Sequence, residues 1–246
     1  MHHRTSSIYL VLLAVTAIPC NAEVSSGAEI RAQFSANHAA LISSSLTGRI
    51  TEFKQRVGDR VQKGELVVSF DCQRHLAESQ ITETRLLSSQ YQVAINQKLA
   101  DLESISDLEL EMSQAQVKID RAEYNRALAI TSYCKIHAPF SGVITEKHAN
   151  AFEYITEGGA LFKLVDTDNL ETEMIVPSVQ LPKFKPGRPF EVYVGETGQV
   201  VTVIVDRIGG AIDPVSESVK VFGRLKDKQK NLLPGMSGAI VGHLEP

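Results

Sequence analysis

Apolar and polar positions change their spacing twice along this chain. Between residues 40 and 71, short apolar runs alternate with polar residues and are interrupted by glycines such as Gly48, Gly58 and Gly64. Glycine reaches positive φ without a Cβ clash, so these positions predict turns between short β-strands. The same pattern returns after Lys135. The sequence therefore predicts two groups of strands on either side of a segment of different character.

The intervening segment, between Cys72 and Cys134, predicts two helices joined near residues 101–106. It contains no Gly or Pro and is rich in good helix formers. Each helix would have roughly 28 residues and a length of about 42 Å at about 1.5 Å per residue. The alternative is a helical subdomain folded into a globule. We disfavour it because each helix carries only one narrow apolar stripe.

These stripes recur with the 3-4 spacing that is typical of the seam between two helices of a coiled coil. On the first helix the stripe comprises Ala77, Ile81, Thr84, Tyr91, Ile95 and Leu102, with Ser88 and Lys98 as gaps. On the second it comprises Ile105, Leu108, Met112, Ala115, Ile119, Ala122, Ala129 and Tyr133, interrupted by Arg126. We expect the two stripes to face each other in an antiparallel hairpin.

The region after Asp168 predicts an antiparallel barrel or sandwich. Short β patterns follow one another at close spacing and are separated by Pro and Gly. The predicted strands cover residues 171–176, 190–194, 200–206, 219–225 and 237–241. We interpret Gly209 and Gly210 as turn residues between two of them.

The two groups of strands that flank the helices resemble each other. Gly48-Arg49-Ile50-Thr51-Glu52 has a counterpart in Gly142-Val143-Ile144-Thr145-Glu146. Each run is followed about ten residues later by a Gly turn and an apolar strand. Since an isolated hairpin is marginally stable in water, the two halves are expected to pair into one β-domain. The helices are then an insertion that begins and ends at neighbouring points of that domain.

The N-terminus predicts export. His2, His3 and Arg4 precede an apolar run over residues 8–18, which is shorter than the roughly 20 residues that span a bilayer. Small residues then precede a cleavage site after Ala22, so residues 1–22 read as a signal peptide. A lipid anchor at Cys20 is the alternative, although Pro19 is unusual before such a cysteine. The net charge of −4 argues against nucleic-acid binding.

Cys72 and Cys134 bracket the two helices and would face each other at the base of a hairpin. An oxidising compartment favours a disulfide between them. Free thiols are one alternative, and a metal site with His75 and His137 is another. Elsewhere no set of side chains has recognisable catalytic spacing, so we do not expect an enzyme. Asp166 and Asp168 are interpreted as a solvated turn.

Several motifs together resemble the HlyD-type membrane fusion proteins. They are Gly48-Arg49-Ile50, the run from Val57 through Gly58-Asp59 to Gly64-Glu65-Leu66, Ala138-Pro139-Phe140-Ser141-Gly142-Val143 and Leu233-Pro234-Gly235-Met236-Ser237. The resemblance implies an elongated, mainly β fold with an inserted α-helical hairpin, made of a split lipoyl/biotinyl-like β-sandwich and an antiparallel β-barrel. The implied domains are residues 40–71 with 135–166 (sandwich), 72–134 (hairpin) and 167–246 (barrel), with residues 23–39 joining the barrel.

The resemblance also implies a role as a periplasmic adaptor, peripheral to the inner membrane. Such adaptors form homo-oligomeric rings between an inner-membrane transporter of the resistance-nodulation-division (RND) type and an outer-membrane channel. Alternatives are an adaptor for an ATP-driven exporter or type I secretion system, and a periplasmic metal-binding or structural coiled-coil protein. Few residues precede residue 40 or follow Gly238, so we expect the membrane-proximal domain of most pump adaptors to be absent or rudimentary.

The family's hairpin tip contacts the channel through an Arg-Leu-Ser pattern. Leu99 and Ser106 match its Leu and Ser, whereas Ile95 stands in place of the Arg. The predicted contact residues are Leu99, Leu102, Ser104, Ile105 and Ser106. No cofactor is expected, because the helical insertion occupies the turn where lipoyl and biotinyl carriers present their modified Lys.

Overall fold

The computed structural model describes residues 29–229 and 231–241, and the predicted signal peptide with Cys20 lies outside them. It contains fourteen strands, two long helices and a 3-10 helix. The helices are α1 (Gln73–Asp101) and α2 (Asp107–Ser132), and the 3-10 helix is Ser178–Lys183. The strands are β1 (Arg31–Ala36), β2 (Ala39–Ser43), β3 (Gly48–Glu52), β4 (Arg60–Val61), β5 (Leu66–Phe70), β6 (Lys135–His137), β7 (Gly142–Lys147), β8 (Tyr154–Ile155), β9 (Ala160–Val165), β10 (Leu170–Pro177), β11 (Pro189–Val194), β12 (Gln199–Asp213), β13 (Ser218–Leu225) and β14 (Ser237–Val241).

The two halves of the internal repeat form one β-sandwich by exchanging strands. Its sheets have the orders β2-β9-β7-β4 and β6-β5-β3-β8. Strand β4 of the first half pairs with β7 of the second, with Arg60 opposite Val143. In the same way β8 of the second half pairs with β3 of the first, with Gly48 opposite Ile155. The predicted pairing of the two halves is confirmed. Their shared core includes Ile50, Val61, Val68, Ile144, Leu161, Phe162 and Leu164.

The predicted helical hairpin is present, but the predicted seam is wrong. The residues buried on α1 and α2 are Ser79, Thr82, Leu86, Asn96, Asp120 and Ala127. They have the same 3-4 spacing but lie on the opposite face from the predicted stripes. Tyr91 is 71% exposed, Met112 65% and Ile119 53%. Apolar spacing identifies a face of a helix, and it does not specify which neighbour covers that face.

Polar side chains occupy much of the real seam and its flanks. Within α2, Gln116 donates from Nε2 to Oδ1 of Asp120 at 2.9 Å, which gives a partner to that buried carboxylate. Between the helices, Arg85 of α1 donates to Glu123 of α2 at 2.9 Å. Small and hydrogen-bonded side chains therefore make up much of the seam beside the buried Leu86, and most of the large apolar side chains of the hairpin are exposed.

The C-terminal region is a closed barrel of six strands in the order β1-β10-β13-β12-β11-β14. The sequence predicted either a barrel or a sandwich here, and the barrel is the architecture observed. Its core includes Phe34, Met174, Val176, Phe184, Val192, Val203 and Val221. Gly209 and Gly210 do not form a turn, contrary to prediction. They lie inside β12, where the pairing with β13 shifts between Ile208 and Ile212. A side chain at position 209 would approach the Lys220 carbonyl oxygen to 2.9 Å, so glycine permits this bulge.

Two connections join the sandwich to the barrel, and they are hydrogen-bonded to each other. The Asn37 amide donates to the Asn169 carbonyl at 3.0 Å, and the Asp166 amide donates to the His38 carbonyl at 2.8 Å. The Asp166 side chain is buried and not a solvated turn residue, contrary to prediction. Burial opposes its ionisation, but hydrogen bonds from the side chain and amide of Asn169 and from the Asp168 amide outweigh this effect. Together they lower the pKa of Asp166.

Candidate partner-binding surface at the hairpin tip

A disulfide closes the base of the hairpin. The sulfur atoms of Cys72 and Cys134 are 2.02 Å apart, and both residues are buried against the sandwich core. The predicted disulfide is confirmed, and the metal-site alternative loses both of its thiolates. His75 is half-buried on α1, whereas His137 is exposed on β6. Among the described residues, no group of three His, Cys, Asp or Glu side chains could hold a metal ion.

At the other end, a short turn reverses the chain. The amides of Leu102 and Ser104 both donate to the Leu99 carbonyl, at 3.2 and 2.8 Å. Glu103 between them adopts a left-handed conformation with φ 54°. The Ser106 hydroxyl accepts a hydrogen bond from the Glu109 amide at 3.2 Å, so it caps the N-terminus of α2. The turn is therefore a defined structure built from local hydrogen bonds.

The five predicted contact residues all lie in or beside this turn, with different exposure. Leu102 is 72% exposed and Leu99 is 36% exposed. Ser104 and Ser106 are exposed, while Ile105 is half-buried and partly fills the end of the hairpin. Leu102 is therefore the most prominent apolar side chain of the predicted set.

Two further features of the tip were not predicted from the sequence. Leu108 is 66% exposed and extends the apolar surface onto α2. A row of exposed carboxylates surrounds the turn, formed by Asp101, Glu103, Asp107 and Glu109. The high density of acidic residues between positions 101 and 111 is the sequence feature from which this rim could have been predicted. The tip combines apolar side chains with an acidic rim, which suits a partner with an apolar pocket and basic surroundings.

A cleft with a volume of about 1130 Å³ lies between the sandwich and the barrel. Its charged side chains pair with each other. Arg60 donates to Asp168 at 2.6 Å, and Lys163 donates to Glu146 at 2.8 Å. The Lys163 hydrogen bond is the main cause of the lowered pKa of Glu146. Each of these four charged side chains therefore has an ion-pair partner within the cleft.

A split β-sandwich with an inserted helical hairpin, followed by a six-stranded barrel, is the architecture of membrane fusion adaptor proteins. The sequence profile of the CzcB-like, barrel-sandwich hybrid domain matches residues 38–166, which include both halves of the sandwich and the hairpin. The chain belongs to this family. Its homologues are membrane fusion proteins of efflux systems, and the family and its structural neighbours are non-enzymatic adaptors.

Individual relatives agree with this assignment. The nodulation protein NolF of Rhizobium meliloti is 25% identical over 214 residues, which are 79% of this chain and 57% of NolF. The cation efflux system protein CzcB of Alcaligenes sp. is 20% identical over 224 residues, covering 85% of this chain and 42% of CzcB. The chain thus spans about half the length of these relatives.

Among solved structures, the fold resembles a MacA–MexA chimera that carries the α-hairpin domain of Pseudomonas aeruginosa MexA. The TM-score is 0.74 at 17% identity, and the match covers 86% of this chain and 77% of the chimera. Within the residues that the structure describes, no helix is both long and apolar enough to cross a membrane.

Proposed function

We propose that this protein is a periplasmic adaptor that couples an inner-membrane transporter of the RND type to an outer-membrane channel for the efflux of small molecules. Export to the periplasm rests on the predicted signal peptide, and the transporter type rests on the resemblance to HlyD-type proteins. In this arrangement the hairpin tip is the contact site for the channel.

The observation that carries this proposal is a long helical hairpin with an exposed apolar end. Helices of 29 and 26 residues reach about 40 Å away from the sandwich at about 1.5 Å per residue. The disulfide ties their base, and Leu102 and Leu108 stand exposed at or next to the turn. Large exposed apolar side chains with a polar rim are typical of protein-binding sites. A spacer with a binding surface at its far end suits an adaptor better than a protein that acts alone.

The homo-oligomeric ring is part of the same proposal. A channel presents its subunits around an axis, so a single rod would engage only a fraction of its end. Several copies arranged around that axis engage it simultaneously, and multivalent attachment strengthens weak individual contacts.

The proposal is tested by deletion and by site-specific photo-cross-linking in the native host. Deletion of the gene is expected to lower export of the pump's substrate, measured as increased intracellular accumulation. A photoreactive amino acid at Leu102 is expected to cross-link to an outer-membrane protein. The matched control is Leu76, which is 54% exposed at the hairpin base and should give no such product. Unchanged accumulation after deletion would contradict the adaptor role, and cross-linking at Leu76 alone would contradict the tip contact.

A further inference from the structure

The cleft between the sandwich and the barrel has the size and the position of a small-molecule site. Its sandwich wall is formed by Val57, Gly58 and Arg60 with residues of β7 and β9, and its barrel wall by residues of β1 and residues 232–235. Small-molecule sites commonly lie between domains and have volumes of roughly 300–1,000 Å³. The cleft, with about 1130 Å³, therefore has room for a drug-sized molecule.

Each wall of the cleft presents an exposed apolar side chain on a hydrogen-bonded turn. On the sandwich, Val57 is 59% exposed, and the Asp59 amide closes its turn by donating to the Arg56 carbonyl at 3.1 Å. On the barrel, Leu233 is 53% exposed, and the Met236 amide donates to the Leu233 carbonyl at 3.2 Å. Both Val57 and Leu233 line the cleft, so a molecule inside it has an apolar contact on either side.

These two turns are also fixed to their own domains. The Gly58 amide donates to the Ile144 carbonyl at 2.8 Å, and the Gly235 amide donates to the Phe34 carbonyl at 2.7 Å. The φ angles of the two glycines are 95° and 98°, which the third residue of a type II turn requires. Because the backbone beside each apolar side chain is already ordered, a ligand pays little entropy to order it.

The four charged side chains that line the cleft favour a neutral ligand, because they are paired with each other. Arg60 donates to Asp168 at 2.6 Å and to the Thr167 hydroxyl at 3.1 Å. Lys163 donates to Glu146 at 2.8 Å. A charged ligand would lose its hydration in the cleft and would have to compete with these pairs for a partner. A neutral ligand does not meet this cost.

The rest of the lining combines apolar surface with a few uncharged polar groups. Val143 of β7 and Val165 of β9 extend the apolar wall of the sandwich. The hydroxyl groups of Ser35 and Thr145 and the amide group of Gln33 also line the cleft, and each can accept a hydrogen bond. Mostly apolar walls with a few polar groups are typical of sites that bind small organic molecules.

We propose that this cleft binds a neutral, mostly apolar small molecule that contacts Val57 on the sandwich and Leu233 on the barrel. Because such a ligand touches both domains, its binding favours the relative orientation in which both walls reach it. The inference goes beyond the proposed function, since it requires neither the channel contact nor the ring.

The test is energy transfer from tryptophan to N-phenyl-1-naphthylamine, a neutral aromatic probe, in the purified full-length protein. The chain contains no Trp, so a single introduced Trp is the only tryptophan donor. Val57→Trp and Leu233→Trp place this donor on either wall of the cleft. The matched control is Leu102→Trp, which is also exposed but lies about 40 Å from the hairpin base at about 1.5 Å per residue.

The probe is expected to quench the donors at the cleft saturably and to leave the donor at the hairpin tip unchanged. Absence of quenching from both Val57→Trp and Leu233→Trp would overturn the proposal. Equal quenching of Leu102→Trp over the same range of probe concentration would also overturn it, because the probe would then bind the exposed apolar stripes of the hairpin.

Aspartate variants test the two apolar contacts. The Val57→Asp/Leu233→Asp variant should bind the probe at least about ten-fold more weakly, because the charges must be desolvated beside an apolar ligand. The matched control is Leu76→Asp/Ile81→Asp, whose side chains are 54% and 55% exposed on α1 and which should keep the affinity. All four side chains are exposed, so thermal unfolding should change little in either variant. Unchanged affinity in the cleft variant would contradict the site.

A second probe tests the preference for a neutral ligand. The anion 8-anilinonaphthalene-1-sulfonate has the same aromatic framework with an added sulfonate, so it should bind at least about ten-fold more weakly than the neutral probe. Equal or tighter binding of the anion would overturn the proposed ligand class. None of these measurements uses export as a readout, so their outcome is separate from that of the proposed function.

Discussion

Cys72 and Cys134 are joined by a disulfide at the point where both helices leave the sandwich, with their Cα atoms 5.9 Å apart. The bond links the last residue before α1 to a residue just after α2, across a sequence separation of 62 residues. The disulfide therefore holds the two ends of the inserted segment together. This link matters because the largely polar seam between the helices buries little apolar surface.

Loss of this disulfide is expected to destabilise the hairpin. In the chain-entropy account, a closed loop of this length contributes about 4 kcal/mol to the free energy of unfolding. A Cys72→Ser/Cys134→Ser variant should lose helical circular dichroism at a lower temperature than the unsubstituted protein. Added reductant should lower the transition of the unsubstituted protein and leave the variant unchanged. Equal transitions for both proteins without reductant would contradict this account.

The apolar tip is expected to act in export and not in folding. Leu102→Asp places a charge on a side chain that is 72% exposed, so the free energy of unfolding should change by less than about 0.5 kcal/mol. Export should fall, because the charge must be desolvated at the contact. The Leu99→Asp/Ile105→Asp variant should abolish export. It should also lower the free energy of unfolding somewhat, because Ile105 is half-buried.

The control for the tip is Leu128→Asp, since Leu128 is 48% exposed on α2 far from the turn. It should retain export measured by substrate accumulation. Wild-type export by a folded Leu102→Asp variant would remove Leu102 from the channel contact.

Asp166 is expected to stabilise the junction between sandwich and barrel in a pH-dependent way. Its pKa is lower in the folded protein than the usual value of 3.8, so its contribution is complete above that value and is lost as the pH falls through the folded-state pKa. Asp166→Asn should lower the free energy of unfolding by about 1–3 kcal/mol at pH 7. The difference from the unsubstituted protein should shrink below about pH 4.

Asp168→Asn is the matched control for the junction. It removes an exposed ion pair with Arg60, so less than about 1 kcal/mol should be lost. Urea unfolding of the three proteins across the pH range checks both expectations. A constant difference between Asp166→Asn and the unsubstituted protein at every pH would refute the ionic contribution of Asp166.

The paired glycines of the internal repeat are expected to tolerate substitution differently. A Cβ at Gly142 would lie 2.4 Å from the Val165 carbonyl oxygen, which belongs to the backbone of the neighbouring strand. A Cβ at Gly48 would lie 3.1 Å from the Leu46 side chain, which can move. Gly142→Ala should therefore cost about 1–3 kcal/mol of stability, and Gly48→Ala should cost distinctly less. Equal losses in thermal unfolding would contradict this reading.

The elements with local signals were predictable from sequence. The absence of Gly and Pro between Cys72 and Cys134 determined two helices, and the residues 101–106 between them do form the turn. The repeated Gly-containing runs at Gly48 and Gly142 identified two half-domains that must pair. The exposed tip residues Leu99 and Leu102 were found because the hairpin geometry leaves nothing beyond the turn to cover them.

Other features depended on neighbours that sequence spacing does not identify. Gly209 looked like a turn residue, but β13 continues beside it and makes it a bulge within β12. Asp166 looked solvated, yet the connection through His38 and Asn169 folds over it. In both cases the environment is supplied by a neighbouring segment whose position the spacing of residues does not predict.

The sequence by itself determined where the two helices and most of the strands lie, and which apolar positions share a face of each helix. Only the tertiary structure decided which face of the hairpin is inside. The reason is physical: 3-4 spacing is satisfied equally by a seam within one chain and by a surface that another chain covers. Small and hydrogen-bonded side chains such as Ser79, Thr82 and Asp120 fit the narrow space between two disulfide-linked helices, and most of the large apolar side chains remain on the outside.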